Sequence, residues 1–173
     1  MKKILMTIIT FLVICLTIWF QINFLNSIPL AGVTANIGIV LTAGLGLVSG
    51  RMLGGTAGFA YGLIMDVAFY SSLGVYTILY TSTGMIAGFL NNSFSKDNKI
   101  SMVMLILFVT LIFETIFYLL HVFLQGFEFR VSVLFTVLIL ESVYNMLLAM
   151  LFFKSITFFG DLLNRCKNSY YLL

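Results

Sequence analysis

Five polar side chains stand inside long apolar runs of this chain: Asp66, Glu114, His121, Glu141 and Asn145. A carboxylate in an apolar helix is costly unless it faces other helices or a wet cavity. In the fifth run Thr110, Glu114, Tyr118, His121 and Gln125 follow one another at intervals of 4, 4, 3 and 4, which places them on one face of a helix. In the sixth, Glu141 and Asn145 are one turn apart. The two runs turn near Phe127 and Glu128, and each acid is 13 or 14 residues from that turn. Glu114 and Glu141 are therefore expected at similar depth, about 20 Å of helix from the hairpin. Two chemistries fit such a pair. The carboxyls could share a proton or hold a cation, or they could be neutral acids that glue helices through Asn145, Tyr118 or backbone. The spacing leaves both open, the second being the more frequent use of such residues.

Nothing else in the chain resembles a catalytic motif, so a protease dyad is not expected. His121 is the single histidine, and neither Cys15 nor Cys166 matches it in setting. One imidazole cannot make a metal site. The expected list of catalytic, cofactor-binding and metal-binding residues is therefore empty, and His121 reads as the outer member of the polar stripe. Thr10, Thr17 and Gln21 form a weaker line on the first run, and threonines there can satisfy themselves on the backbone.

The elements that must hold these groups follow from composition. Only 9% of the 173 residues are charged, against about a quarter in soluble proteins, and the mean hydropathy is +1.13. The class is an all-α polytopic membrane protein. The net charge of +3 does not argue for nucleic acid. Six spans are expected: Ile4 to Leu25, Thr34 to Ser49, Met52 to Ser71, Leu73 to Leu90, Ile100 to Leu124, and Val131 to Phe153. The first is longer than a signal-peptide core and no small-residue cleavage site follows, so it reads as a retained signal anchor. The third and fourth are divided only by Ser71-Ser72-Leu73-Gly74, a tight hairpin.

Of nine basic residues, all but Arg130 fall at the N-terminus, the even connections or the C-terminus: Lys2, Lys3, Arg51, Lys96, Lys99, Lys154, Arg165 and Lys167. By the positive-inside rule both termini are cytoplasmic. The chain reads as one six-helix domain over 1–173, with 155–173 as a cytoplasmic tail. In that tail Phe158, Phe159, Leu162 and Leu163 alternate with Asp161, Asn164 and Arg165, a pattern that suits either an interfacial amphipathic helix, with Tyr170 and Tyr171 at headgroup level, or a frayed helix end.

Glycines recur every fourth residue at Gly50, Gly54, Gly58 and Gly62, and the series closes on Asp66. Gly84 and Gly88 repeat the spacing in the fourth run. Such ridges let a neighbouring helix approach closely, from this chain or another. Asp66 is the leading candidate for a buried polar contact, within the bundle or to a partner.

The segment Gly58-Phe59-Ala60-Tyr61-Gly62-Leu63-Ile64-Met65-Asp66 resembles the signature of the rod shape-determining protein MreD family. In that family a Gly-Phe-x-x-Gly-Leu-x-x-Asp helix precedes a glycine, an aromatic and a small-residue helix, positions filled here by Gly74, Tyr76, Tyr80, Gly84, Ala87, Gly88 and Phe89. The segment Glu141 to Ala149 is similar to the family's closing helix. Two family prolines are missing: Thr34-Ala35-Asn36 and Leu138-Ile139-Leu140 stand in their places. The resemblance implies a non-enzymatic scaffold of the bacterial cytoplasmic membrane that couples cell-wall synthesis to cell shape. Its implied partners are MreC above all, then MreB, RodA and RodA's transpeptidase, with membrane lipid around it. It also implies a fold like the substrate-binding subunit of energy-coupling-factor vitamin transporters. Such a transporter subunit, for a vitamin or a metal, is the alternative function. Against it stand very short outer loops and a bulky first helix, Phe11-Leu12-Val13-Ile14-Cys15-Leu16, where small residues would dock a coupling protein. An ion conductor using the acids lacks any visible repeat.

Overall fold

A computed structural model describes residues 2–29, 32–69, 74–92, 94, 98–126 and 129–168. Among them are six α-helices: α1 (Lys2–Asn23), α2 (Ile37–Ser49), α3 (Arg51–Phe69), α4 (Val75–Phe89), α5 (Lys99–Gln125) and α6 (Val131–Asn168), with short 3₁₀ turns at Leu25–Ser27 and Leu90–Asn92. Ser71 to Leu73, Lys96, the Phe127–Glu128 turn and Tyr170–Tyr171 lie outside the described residues. Four helices are long and apolar enough to cross a membrane, namely α1, α3, α5 and α6. The protein is an all-helical membrane protein.

The expected second and fourth spans form helices of 13 and 15 residues. At 1.5 Å per residue that is roughly 20 Å each, less than a bilayer's hydrocarbon core. The reason for the short α2 is its position. Every residue from Ile37 to Ser49 is buried, because α3, α4, α5 and α6 pack around it and α1 touches it. It is the axis of the bundle. Asn36 opens it, accepting from the Ile39 amide at 3.3 Å, and Gly50 closes it at φ 85°, a conformation other residues reach only with strain. With only Gly50 between them, α2 and α3 form a tight hairpin.

The glycine ridge joins α3 to α4 within the chain. A Cβ on Gly58 would run into the Tyr80 carbonyl, one on Gly62 into the Thr77 backbone at 2.5 Å, and one on Gly54 into Gly46 and Gly84. Gly84 and Gly88 face back onto Gly54 and Arg51. Gly50 differs from the rest of the expected ridge: its backbone lies against Gly88, but a Cβ of its own would meet nothing within 4 Å, and what its place requires of glycine is the turn.

Over 155–168 the expected tail is part of α6, which continues without a break to Asn168, and Ile156, Gly160 and Leu163 are buried. The cause is the C-terminal end of α2, whose last carbonyls have no partner inside their own helix. Asn164 Nδ2 donates to the Val48 carbonyl at 2.9 Å, and Ser49 Oγ donates to the Gly160 carbonyl at 3.2 Å. Gly160 lets Val48 approach α6. Most of the remaining surface is apolar: Phe11, Leu12, Leu16 and Trp19 on α1, and Phe135, Ile139, Leu147 and Leu151 on α6, are exposed.

Candidate functional site

One end of the bundle gathers the C-terminal ends of α1, α3 and α5 and the N-terminal ends of α2, α4 and α6. The buried polar side chains concentrate there, and the starting point is the N-terminus of α2. Val33 and Ala35 are buried on the way in, so the first amide donors of the helix cannot turn to solvent. Gln21 on α1 meets this need: its Oε1 accepts from the Ile37 amide at 2.9 Å, while its Nε2 donates to the Ala35 carbonyl at 2.8 Å and to Asn26 Oδ1 at 3.1 Å. Asn145 on α6 does likewise. Its Oδ1 accepts from the Asn36 amide at 2.7 Å and its Nδ2 donates to Thr110 Oγ1 at 3.2 Å. Tyr80 on α4 donates from its hydroxyl to Asn36 Oδ1 at 2.7 Å.

The two membrane acids meet at this cluster. Glu114 and Glu141, both buried, line the same cavity beside Asn36. The spacing argument placed the pair at equal depth, and the packing of α5 on α6 turns the two faces together.

An interior cavity of about 210 Å³ opens beside the pair. Its polar wall is Gln21, Asn26, Asn36, Glu114 and Glu141. Tyr76, Tyr80, Phe113 and Phe117 line it as well. These rings form a closed circuit, with centroid separations of 6.2 Å for Tyr76–Tyr80, 4.9 Å for Tyr80–Phe113, 6.0 Å for Phe113–Phe117 and 5.3 Å for Phe117–Tyr76. A wider groove of about 690 Å³ shares Thr34, Glu114, Phe117 and Glu141 with the cavity and carries Tyr118, His121 and Arg130 on its walls. The acid pair thus borders both the groove and the cavity.

His121 lines the groove, its ring 4.3 Å from that of Phe117 and its Nδ1 3.3 Å from the Phe117 carbonyl. Among the described residues no group of three metal-ligating side chains converges anywhere. Tyr118 ties α5 to the start of α6, accepting from the Arg130 amide at 2.9 Å and donating to its carbonyl at 3.1 Å.

Asp66 lies apart from the acid pair, and its partners are internal. Oδ1 accepts from the Tyr76 amide at 3.0 Å; Oδ2 accepts from the Thr77 amide at 3.0 Å and the Thr77 hydroxyl at 2.5 Å. Those amides are the second and third of α4, whose own N-cap is Gly74, with no side chain to offer. Asp66 therefore caps the next helix in the chain, where a negative charge is also favoured by the helix dipole.

Sequence reasoning overlooked Asn36 and undervalued Gln21. The available signal for Asn36 was its place directly before an apolar run, the position of an N-cap. Gln21 carried none, since its partner amide is 16 residues away. Thr10 and Thr17 bond the backbone carbonyls of Met6, Val13 and Ile14 in their own helix and reach no site. Comparison with protein-family models, with curated proteins and with solved structures finds no match to the chain.

Proposed function

We propose that the chain is a non-enzymatic scaffold of the MreD type in the bacterial cytoplasmic membrane. In this reading it crosses six times with both termini cytoplasmic, folds like the substrate-binding subunit of energy-coupling-factor transporters, and works by binding MreC, with MreB, RodA and RodA's transpeptidase as further partners. The observation that carries the proposal is the α3–α4 joint. The residues on which the family resemblance rests, Gly58, Gly62, Asp66 and Gly84, are not scattered. They form one unit in which glycines seat α4 on α3 and Asp66 caps it. A motif whose members depend on one another is harder to meet by chance than a run of apolar residues. The topology draws support from the charges: Arg51, stacked on Phe89 at 5.2 Å, and Lys99 lie at the end of the bundle opposite the polar cluster.

With apolar helix faces as most of the surface, recognition of partners falls to packing, since lipid and leucine are equally apolar. Depletion in a rod-shaped host should give rounding and lysis, and crosslinking in native membranes should capture MreC. The cavity beside Glu114 and Glu141 favours a second reading, a solute-binding transporter subunit. Normal cell shape on depletion, with recovery of an ATPase-linked coupling protein, would replace the first reading by the second.

A further inference from the structure

The polar residues at the head of α2 do not all have the same explanation. Gln21 and Asn145 each take one of the amides that the buried start of α2 leaves open, and Asn36 takes a third. Neutral amides suffice for that. The start of α2 does not require two acids, and among the described residues no lysine, arginine or histidine lines the cavity they border; Arg130 and His121 line the adjoining groove. A buried carboxylate without a cation takes up a proton or waits for a cation. The four-ring circuit of Tyr76, Tyr80, Phe113 and Phe117 lines the same cavity as the pair. Aromatic faces attract cations, and organic ammonium groups are recognised by rings grouped in this way.

We propose that the cavity binds a small organic ammonium ion, its charge on the Glu114–Glu141 pair and its carbon skeleton against the four rings. The volume of about 210 Å³ is that of roughly seven waters at ~30 Å³ each, which suits a compact amine and not a vitamin-sized solute. The groove supplies the entrance. It is lined by Glu114 and Glu141 together with Tyr118, His121 and Arg130. The proposal stands independently of the scaffold reading, since it concerns the cavity alone.

The test uses the purified full chain in lipid nanodiscs and two matched pairs of probes. Choline is set against 3,3-dimethylbutan-1-ol, which has carbon in place of nitrogen, and benzylammonium against benzyl alcohol. At least one cation should bind, measured by calorimetry up to about 10 mM, and at least tenfold more tightly than its uncharged counterpart. The double variant Glu114→Gln, Glu141→Gln keeps size and hydrogen bonding and should weaken the cation by roughly 10- to 100-fold. Phe117→Leu should weaken it by about fivefold. Neither cation exceeding its counterpart, or equal binding by the double glutamine variant, overturns the proposal and leaves the acids as hydrogen-bonding glue. Should that variant not accumulate, the paired probes on the unaltered protein decide. Depletion phenotype and ligand binding are read separately, so failure of one does not imitate failure of the other.

Discussion

Asp66→Ala tests the reasoning about the α3–α4 joint most sharply. The carboxylate takes three hydrogen bonds, from the Tyr76 and Thr77 amides and the Thr77 hydroxyl, and is itself 3% exposed. Loss of a cap costs about 1 kcal/mol, and loss of a charge at a partly buried helix N-terminus costs up to ~2 kcal/mol. Donors left buried without a partner cost about 1–3 kcal/mol. These contributions describe overlapping contacts, so they do not sum, and a total near 2–4 kcal/mol is expected. At roughly 2–4 °C per kcal/mol for a chain of this size, the midpoint of thermal unfolding in detergent should fall by about 5–15 °C. Asp66→Asn keeps one acceptor and turns an NH₂ toward the other donors, so about half the loss is expected. Thr77→Val removes only the hydroxyl contact and should cost least. A double-mutant cycle between Asp66→Ala and Thr77→Val should show coupling of at least ~0.5 kcal/mol. If Asp66→Ala unfolds with the parent while crosslinks to other membrane proteins disappear, the carboxylate serves a partner and the capping argument is wrong.

Three further outcomes follow from the packing. Gly58→Ala and Gly62→Ala should each lower the unfolding midpoint by several degrees, because the added carbon meets α4 backbone that cannot rotate away. Gly50→Ala, with open space but φ 85°, should cost only about 1 kcal/mol of backbone strain. Asn145→Leu should cost about 1–3 kcal/mol by orphaning the Asn36 amide, seen as loss of thermal stability, whereas Asn145→Gln should restore part of it. A reporter active only in the cytoplasm should work when fused after Leu173, and a reporter that requires export should be silent there; the reverse pair of results would invert the topology.

What the sequence made legible was whatever follows from periodicity and charge. From Thr110 to His121 the α5 stripe, and the Glu141–Asn145 pair, lie on the faces their spacing predicts, because helical geometry fixes which residues share a face. The glycine ridge was legible for the same reason. Its first member, Gly50, follows the four-residue spacing yet lies just outside α3, where the chain turns at positive φ. Spacing cannot register a helix boundary. The partners of the buried groups were not legible. Asp66 with Thr77, Gln21 with Ile37 and Asn36 with Asn145 are contacts between elements whose relative rotation no periodicity encodes. The pattern of 155–168 did not show which element that helix would meet: Asn164 gives its amide to the end of α2.

The short axis helix explains why a chain this apolar keeps so many amides. Within a bilayer, backbone that is neither helix nor closed sheet is tolerated only where protein or water satisfies it. A helix of about 20 Å leaves roughly a third of the hydrocarbon thickness to be crossed by other backbone, and here that backbone is the buried approach through Val33 and Ala35. Each amide it exposes must find a donor or acceptor carried by a longer neighbour. α1, α4 and α6 supply Gln21, Tyr80 and Asn145 at the start of α2, and α6 supplies Asn164 at its end. Lengthening α2 by one turn would remove the need for these residues, but it would also fill the space where Asn36, Glu114 and Glu141 now meet. The cavity and the short helix are therefore one feature: the bundle gains an interior polar chamber by stopping its central helix before the membrane ends.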